Sequence, residues 1–265
     1  MNQKWILPAG FLVVVAGAGI WYTVTHHAPP PVAETAPVPP PPVAPPAEAP
    51  ILHPVPEESG SAKTRAALPV LADSDAPLLA SLGEVVGPGT VKDYFIPENV
   101  VRRLVVTIDG LARPKLALQK LPVQSVPGEF QAQGDELHGT LDVRNYDRYK
   151  PMVAVIRGLD MQKVADVYVH YYPLFQDAYQ NLGYPNGYFN DRLVAVIDVL
   201  LATPDVATPI ELTRPRVMYE FADPALEALP AGQKILLRMG PDNAAAIKTQ
   251  LKELRAILTA GPLKH

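Results

Sequence analysis

Residues 171–192 gather the side chains with the most chemistry to offer. Tyr171, Tyr172, Phe175, Tyr179, Tyr184, Tyr188 and Phe189 stand there beside Asn186, Asn190, Asp191 and Arg192. Aromatic faces next to amides and carboxylates are what a sugar or peptide site uses, because they offer apolar planes beside directional hydrogen bonds. Tyr184, Tyr188, Asn190, Asp191 and Arg192 are therefore the candidate ligand-binding residues. The same residues have a second reading. Tyr168, Phe175 and Tyr179 fall at core spacing, Asn190 and Asp191 suit helix caps, and Gly183 and Gly187 suit a turn. Solvent exposure separates an open cleft from a filled core.

A second cluster is Gln233, Lys234, Arg238 and Asn243. Arg238 precedes Gly240-Pro241-Asp242-Asn243, where a helix begins, and a helix start attracts anions. Arg238 and Asn243 are thus candidate anion-binding residues, with pairing of Arg238 to Asp242 or Glu253 as the alternative. Glycan hydrolysis needs two acids across a cleft. Asp191 and Asp198 lie seven apart, on one helix face, and His170 is a further acid or base. Six histidines occur, at 26, 27, 53, 138, 170 and 265, with no H-x-x-x-H pair to suggest zinc. The chain holds no cysteine, which excludes disulfides, thiolate metal sites, cysteine nucleophiles and a lipid-modified cysteine anchor. No phosphate-cradling glycine loop and no G-x-S-x-G elbow is present. The sequence assigns no catalytic residue, no metal and no cofactor.

The elements that carry these residues follow an N-terminal run of another kind. Residues 5–25 bear no charge, and Lys4 lies on their near side. Roughly 20 apolar residues are what a helix needs to cross a bilayer. Trp5 at one end, and Trp21 with Tyr22 at the other, suit the two interfaces. The expectation is an N-terminal transmembrane helix over 5–25, with residues 1–4 cytoplasmic and the bulk exported. A cleaved signal peptide is the competing reading, which the long core and the missing A-x-A site disfavour. Gly10 and Gly17 share a helix face, which allows close pairing of spans in an assembly subunit. Residues 26–67 are rich in proline and read as a disordered stalk favouring polyproline II.

Residues 68–265 form one domain of ordinary size. Beyond residue 60 the charges almost balance, so the basic face of a nucleic-acid binder is missing. Leu78, Leu82 and Val85 keep helical spacing up to Gly87-Pro88-Gly89, which reads as a stop. Pro97-Glu98 opens a second helix that ends at Arg113-Pro114. A small hairpin is expected around Gly134-Asp135, and a helix from about Tyr149 to Ile156. The longest helix carries Val164, Tyr168, Tyr171, Phe175, Ala178 and Leu182 on one face, with a kink or break at Pro173. Asn186 or Asn190 caps the next, which ends at Thr203-Pro204. Short strands flank Arg214-Pro215, a short helix starts at Asp223-Pro224, and residues 231–239 fit either helix or strand. Pro241-Asp242 starts a last amphipathic helix. The fold class is mainly α with minor β, in one or two short hairpins.

Tyr172 opens the run Y-P-L-F-Q-D-A-Y-Q-N-L-G-Y-P-N-G-Y-F-N-D-R-L-V-A-V-I-D-V-L-L-A-T-P, and L-P-A-G-Q-K-I-L-L-R-M-G-P-D-N begins at Leu229. With L-P-V-L-A-D-S-D from Leu68 and R-L-V-V-T-I-D from Arg103, these runs resemble a proteobacterial family catalogued as domain of unknown function 3014. The resemblance implies a bacterial inner-membrane protein with an exported domain, and it brings no activity. Together these readings lead to a periplasmic binding or scaffold module of the cell envelope. Its expected partners are the bilayer, through residues 5–25, and an envelope protein or the cell wall, with no nucleic acid. An enzyme acting on cell-wall glycan or peptide is the alternative, and a membrane-embedded assembly subunit is another.

Overall fold

The computed structural model describes residues 50–56, 68–135 and 137–260. The expected span over 5–25, most of the stalk and the Gly10–Gly17 face lie outside the described residues. Among the described residues, no helix is long and apolar enough to cross a membrane.

The described chain is mainly helical, with one small sheet. Asp75 begins α1 (Asp75–Val86), and Gly87 turns the chain at φ 89°. Gly87-Pro88-Gly89 stops α1 as expected, and it is also the corner from which a further helix starts. Pro88 has the fixed φ and missing donor that suit a first helical position, and it opens α2 (Pro88–Tyr94). The next helix, α3 (Val100–Leu111), has no cap of its own. Asp75 of α1 supplies one from a distance, accepting the Asn99 and Val100 amides at 2.7 and 2.8 Å.

The hairpin comprises β1 (Ala132–Gly134) and β2 (His138–Leu141). Helix α4 (Arg144–Arg157) starts earlier than its apolar pattern suggests. Helix α5 (Met161–Asn181) is capped by Asp160, whose carboxylate accepts the Gln162 and Lys163 amides. It runs through Pro173 without a break. Packing of its buried face against α1 and α3 outweighs the single hydrogen bond that proline removes.

Helix α6 (Phe189–Leu201) follows the turn at residues 183–187. Then come β3 (Glu211–Thr213), β4 (Glu220–Phe221), α7 (Pro224–Glu227), α8 (Ala231–Arg238) and α9 (Pro241–Thr259). The region that fitted either helix or strand is therefore helical. The two hairpins join into one antiparallel sheet in the order β1-β2-β3-β4, with His138 opposite Thr213 and Thr140 opposite Glu211. Leu141, Leu212 and Phe221 cover Leu237 of α8 with one face of that sheet.

Helix α6 is the axis of the domain. Phe189 enters the aromatic cluster of α1, α3 and α5. Val196 and Leu200 pack against Leu236 and Met239, and Val194 and Ile197 pack against Leu258 of α9. Phe189 is fully buried, and such burial contributes about 1.5–3 kcal/mol for one large apolar side chain. With three sides of α6 packed, Asp191, Ala195 and Asp198 share the side that stays open, at i, i+4 and i+7 spacing.

Candidate functional site

The turn into α6 is held from α5. Gln176 Oε1 accepts the Phe189 amide at 2.8 Å and the Tyr172 hydroxyl at 2.9 Å. Its Nε2 donates to the Gly187 carbonyl at 2.7 Å. Gln176 thus takes the capping role that the sequence suggested for Asn186 or Asn190, and Asn190 sits inside the helix. Gly187 is required by space. A Cβ there would lie 2.8 Å from the Tyr179 ring and 2.9 Å from Tyr184 Cβ.

From this turn the five candidate residues separate into two groups. Tyr184 and Arg192 face Asp109 of α3. The Tyr184 ring stacks on Tyr179 at 4.5 Å between centroids. Arg192 Nε donates to Asp109 Oδ1 at 2.9 Å, and its Nη2 to the Asp109 carbonyl at 2.7 Å. Arg113 meets Asp109 Oδ2 at 2.6 Å and also reaches the Tyr184 hydroxyl. The Asp109 side chain is only 6% exposed, so this carboxylate lies buried between two guanidinium groups. The Asp109 charge raises the Arg113 pKa above its ordinary value, which keeps the guanidinium charged. Sequence reasoning missed Asp109 and Arg113. Their i, i+4 spacing was the available signal.

Tyr188, Asn190 and Asp191 face the other way, toward residues 50–56, the end of the proline-rich tract. This segment belongs to the same compact unit as the helices. Asp191 Oδ2 accepts the Leu52 amide at 3.0 Å, and Oδ1 accepts the His53 amide at 2.6 Å. Asn190 Nδ2 donates to the His53 carbonyl at 2.9 Å. The Tyr188 hydroxyl accepts the Val55 amide at 3.0 Å. Behind them, the Tyr168 hydroxyl donates to Asn190 Oδ1 at 3.1 Å, which turns the Asn190 amide nitrogen toward the strap. Burial pushes the Tyr168 phenol well above its ordinary pKa, so it stays a donor. Burial raises Tyr172 likewise. Farther along the same face, His53 lies close enough to Asp198 to help hold that carboxyl below its ordinary range, after the larger effect of Arg255.

The strap is the feature of this region that sequence reasoning passed over. Ile51-Leu52-His53 brings the first isoleucine and leucine after a tract of proline, alanine, valine and glutamate. That change of composition was the legible mark of a segment with a place to go.

The other acids and bases are engaged. Asp198 bonds Arg255 of α9 at 2.5 and 3.1 Å. His170 packs its ring edge-on against Tyr171 at 4.7 Å. Arg238 lies over the Phe221 ring at 4.8 Å, and burial lowers its pKa from the ordinary value. Asn243 is buried and donates to the Tyr146 and Met239 carbonyls at 2.9 and 2.7 Å. Arg238 and Asn243 are thus bound into the packing of sheet and helices, on separate partners.

A cavity of about 170 Å³ lies beside the start of α9, between Pro204, Leu236, Pro241 and Lys248. Neither Arg238 nor Asn243 lines it, and the Lys248 ammonium is spent on the Thr203 carbonyl at 2.7 Å. Among the described residues, no three histidine or acidic side chains gather as a metal site requires.

No curated protein and no solved structure matches this chain. A family model does match, over residues 100–255, which is more than half of the chain and holds Asp109, Gln176 and all of α6. The runs from Arg103, Tyr172 and Leu229 lie inside that span, whereas the run from Leu68 and the strap lie before it. The chain therefore belongs to the family described as "Protein of unknown function (DUF3014)".

Proposed function

We propose that this chain is a membrane-anchored binding or scaffold module of the bacterial cell envelope. Residues 5–25 cross the inner membrane, the amino terminus stays cytoplasmic, and the helical domain stands in the periplasm. The bilayer is one partner, and an envelope protein or the cell wall is the other. The charge-free run beside Lys4 and the proline tract behind it support the placement. One observation carries the binding role. Tyr188, Asn190 and Asp191 hold a non-helical segment by its backbone on the open side of α6, which is how a module grips a peptide.

The test is topological first. The full chain, produced in a Gram-negative host, is expected to sediment with membranes and resist carbonate extraction. Its domain should be cut by protease only after the outer membrane is opened. A soluble chain, or a domain cut only after the inner membrane is broken, would refute the placement. Pull-down of the full chain from membranes should then recover a reproducible envelope protein or cell-wall fragment, and recovery of neither would refute the binding role.

A further inference from the structure

The open side of α6 reads main chain. All four of its hydrogen bonds to the strap fall on backbone atoms of residues 52–55. The donor pattern is amide, amide, proline, amide, and Pro54 has no N–H to leave unsatisfied. Both carboxylate oxygens of Asp191 are used on consecutive amides, a geometry that tolerates many side chains. Ile51 and Leu52 point outward, 54% and 70% exposed. The strap is therefore held by a polar grip at its backbone, with little apolar burial to make it permanent.

We propose that Tyr188, Asn190 and Asp191 form a binding site for a bent, proline-interrupted peptide, and that residues 52–55 of the same chain, which bend at Leu52 and His53, are its resident occupant. The ligand class has two free amides before a proline and one after it. This inference rests on the reading of the domain as a binding module and names what that module binds. Residues 57–67 tether the strap to the domain, so it competes at a high effective concentration with any peptide offered in trans. The site is consequently masked while the strap is seated, and it opens when the strap leaves.

The test uses the full chain in detergent micelles and a labelled synthetic peptide of residues 47–58. The double variant L52P/H53P removes the two amides that Asp191 accepts and leaves the helices untouched. Peptide affinity, read by fluorescence anisotropy, is expected to rise on the order of tenfold over the unaltered chain as cis competition is lost. Adding Asp191→Asn to that variant should abolish the gain, and a peptide carrying both prolines should not bind. Equal affinity for the unaltered chain and the double variant would overturn the proposal.

A second measurement covers the case in which the variant folds poorly. Hydrogen exchange in the unaltered chain should show the Leu52, His53 and Val55 amides protected, and Asp191→Asn should release the first two. Free exchange at all three in the unaltered chain would overturn the proposal, as would protection that grows with protein concentration. The topology experiment stands or falls separately, so failure of the envelope placement and failure of the peptide site are distinguishable.

Discussion

Two carboxylates near the start of α6 are used in opposite ways. Asp109 is buried against two guanidinium groups and ties α3 to α6. Asp191, on the other side, spends both oxygens on backbone amides of a segment outside the helical core. A charge buried among charges stays, because removing one partner strands the others. A carboxylate facing amides at the surface can exchange them for water at small cost. The difference separates what holds this domain together from what it has free to bind with.

The largest loss is expected for Asp109→Ala. It leaves Arg192 and Arg113 without their shared acid and should destabilise the domain by about 1.5–3 kcal/mol in urea titration, since both guanidinium groups keep access to water. Gly187→Ala comes next, since its methyl would press on the Tyr179 ring and overpacking of this kind costs about 1–3 kcal/mol. Asp75→Ala should remove the remote cap of α3 at about 1 kcal/mol. Asp191→Asn should change global stability by no more than about 1 kcal/mol, because only the strap depends on it. Equal losses for Asp109 and Asp191 would show that the two sides of α6 do not differ in this way.

The smallest effect concerns pH. Hydrogen bonding to Arg255 lowers the Asp198 pKa below its ordinary value. A carboxyl with a depressed folded pKa adds stability above its unfolded pKa of about 3.9, and loses it as pH falls through the folded value. Asp198 is half exposed, so solvent screening keeps its share below about 1 kcal/mol. The melting difference between the unaltered chain and Asp198→Asn should therefore be slight at neutral pH and shrink below about pH 4. A difference that grew under acid would contradict the pairing with Arg255.

Helices with long apolar stripes were legible in the sequence, as α3, α5, α6 and α9 attest. A capping acid next to its own helix was legible too, at Asp223, whereas the equivalent cap of α5 at Asp160 was passed over. What escaped were arrangements made by distant residues. Asp75 caps α3 from 24 residues away, Gln176 caps α6 across a turn, and the hairpins meet only through β2 and β3. Gly87 ends α1 as its spacing indicates, but Pro88 also starts a further helix, and Pro173 does not break the helix that contains it. The candidate zone was visible as a cluster, but its division between Asp109 and the strap depends on which way each side chain turns. No spacing rule carries that information.

The strap also decides how the domain would feel a pull. Tension along the chain before residue 50 meets the four hydrogen bonds on α6 before it can reach α1. Backbone bonds at a surface yield long before a packed helix does. Their release would free residues 51–56 from α6, roughly 20 Å of chain at full extension. The domain would lengthen its tether under load and keep its fold.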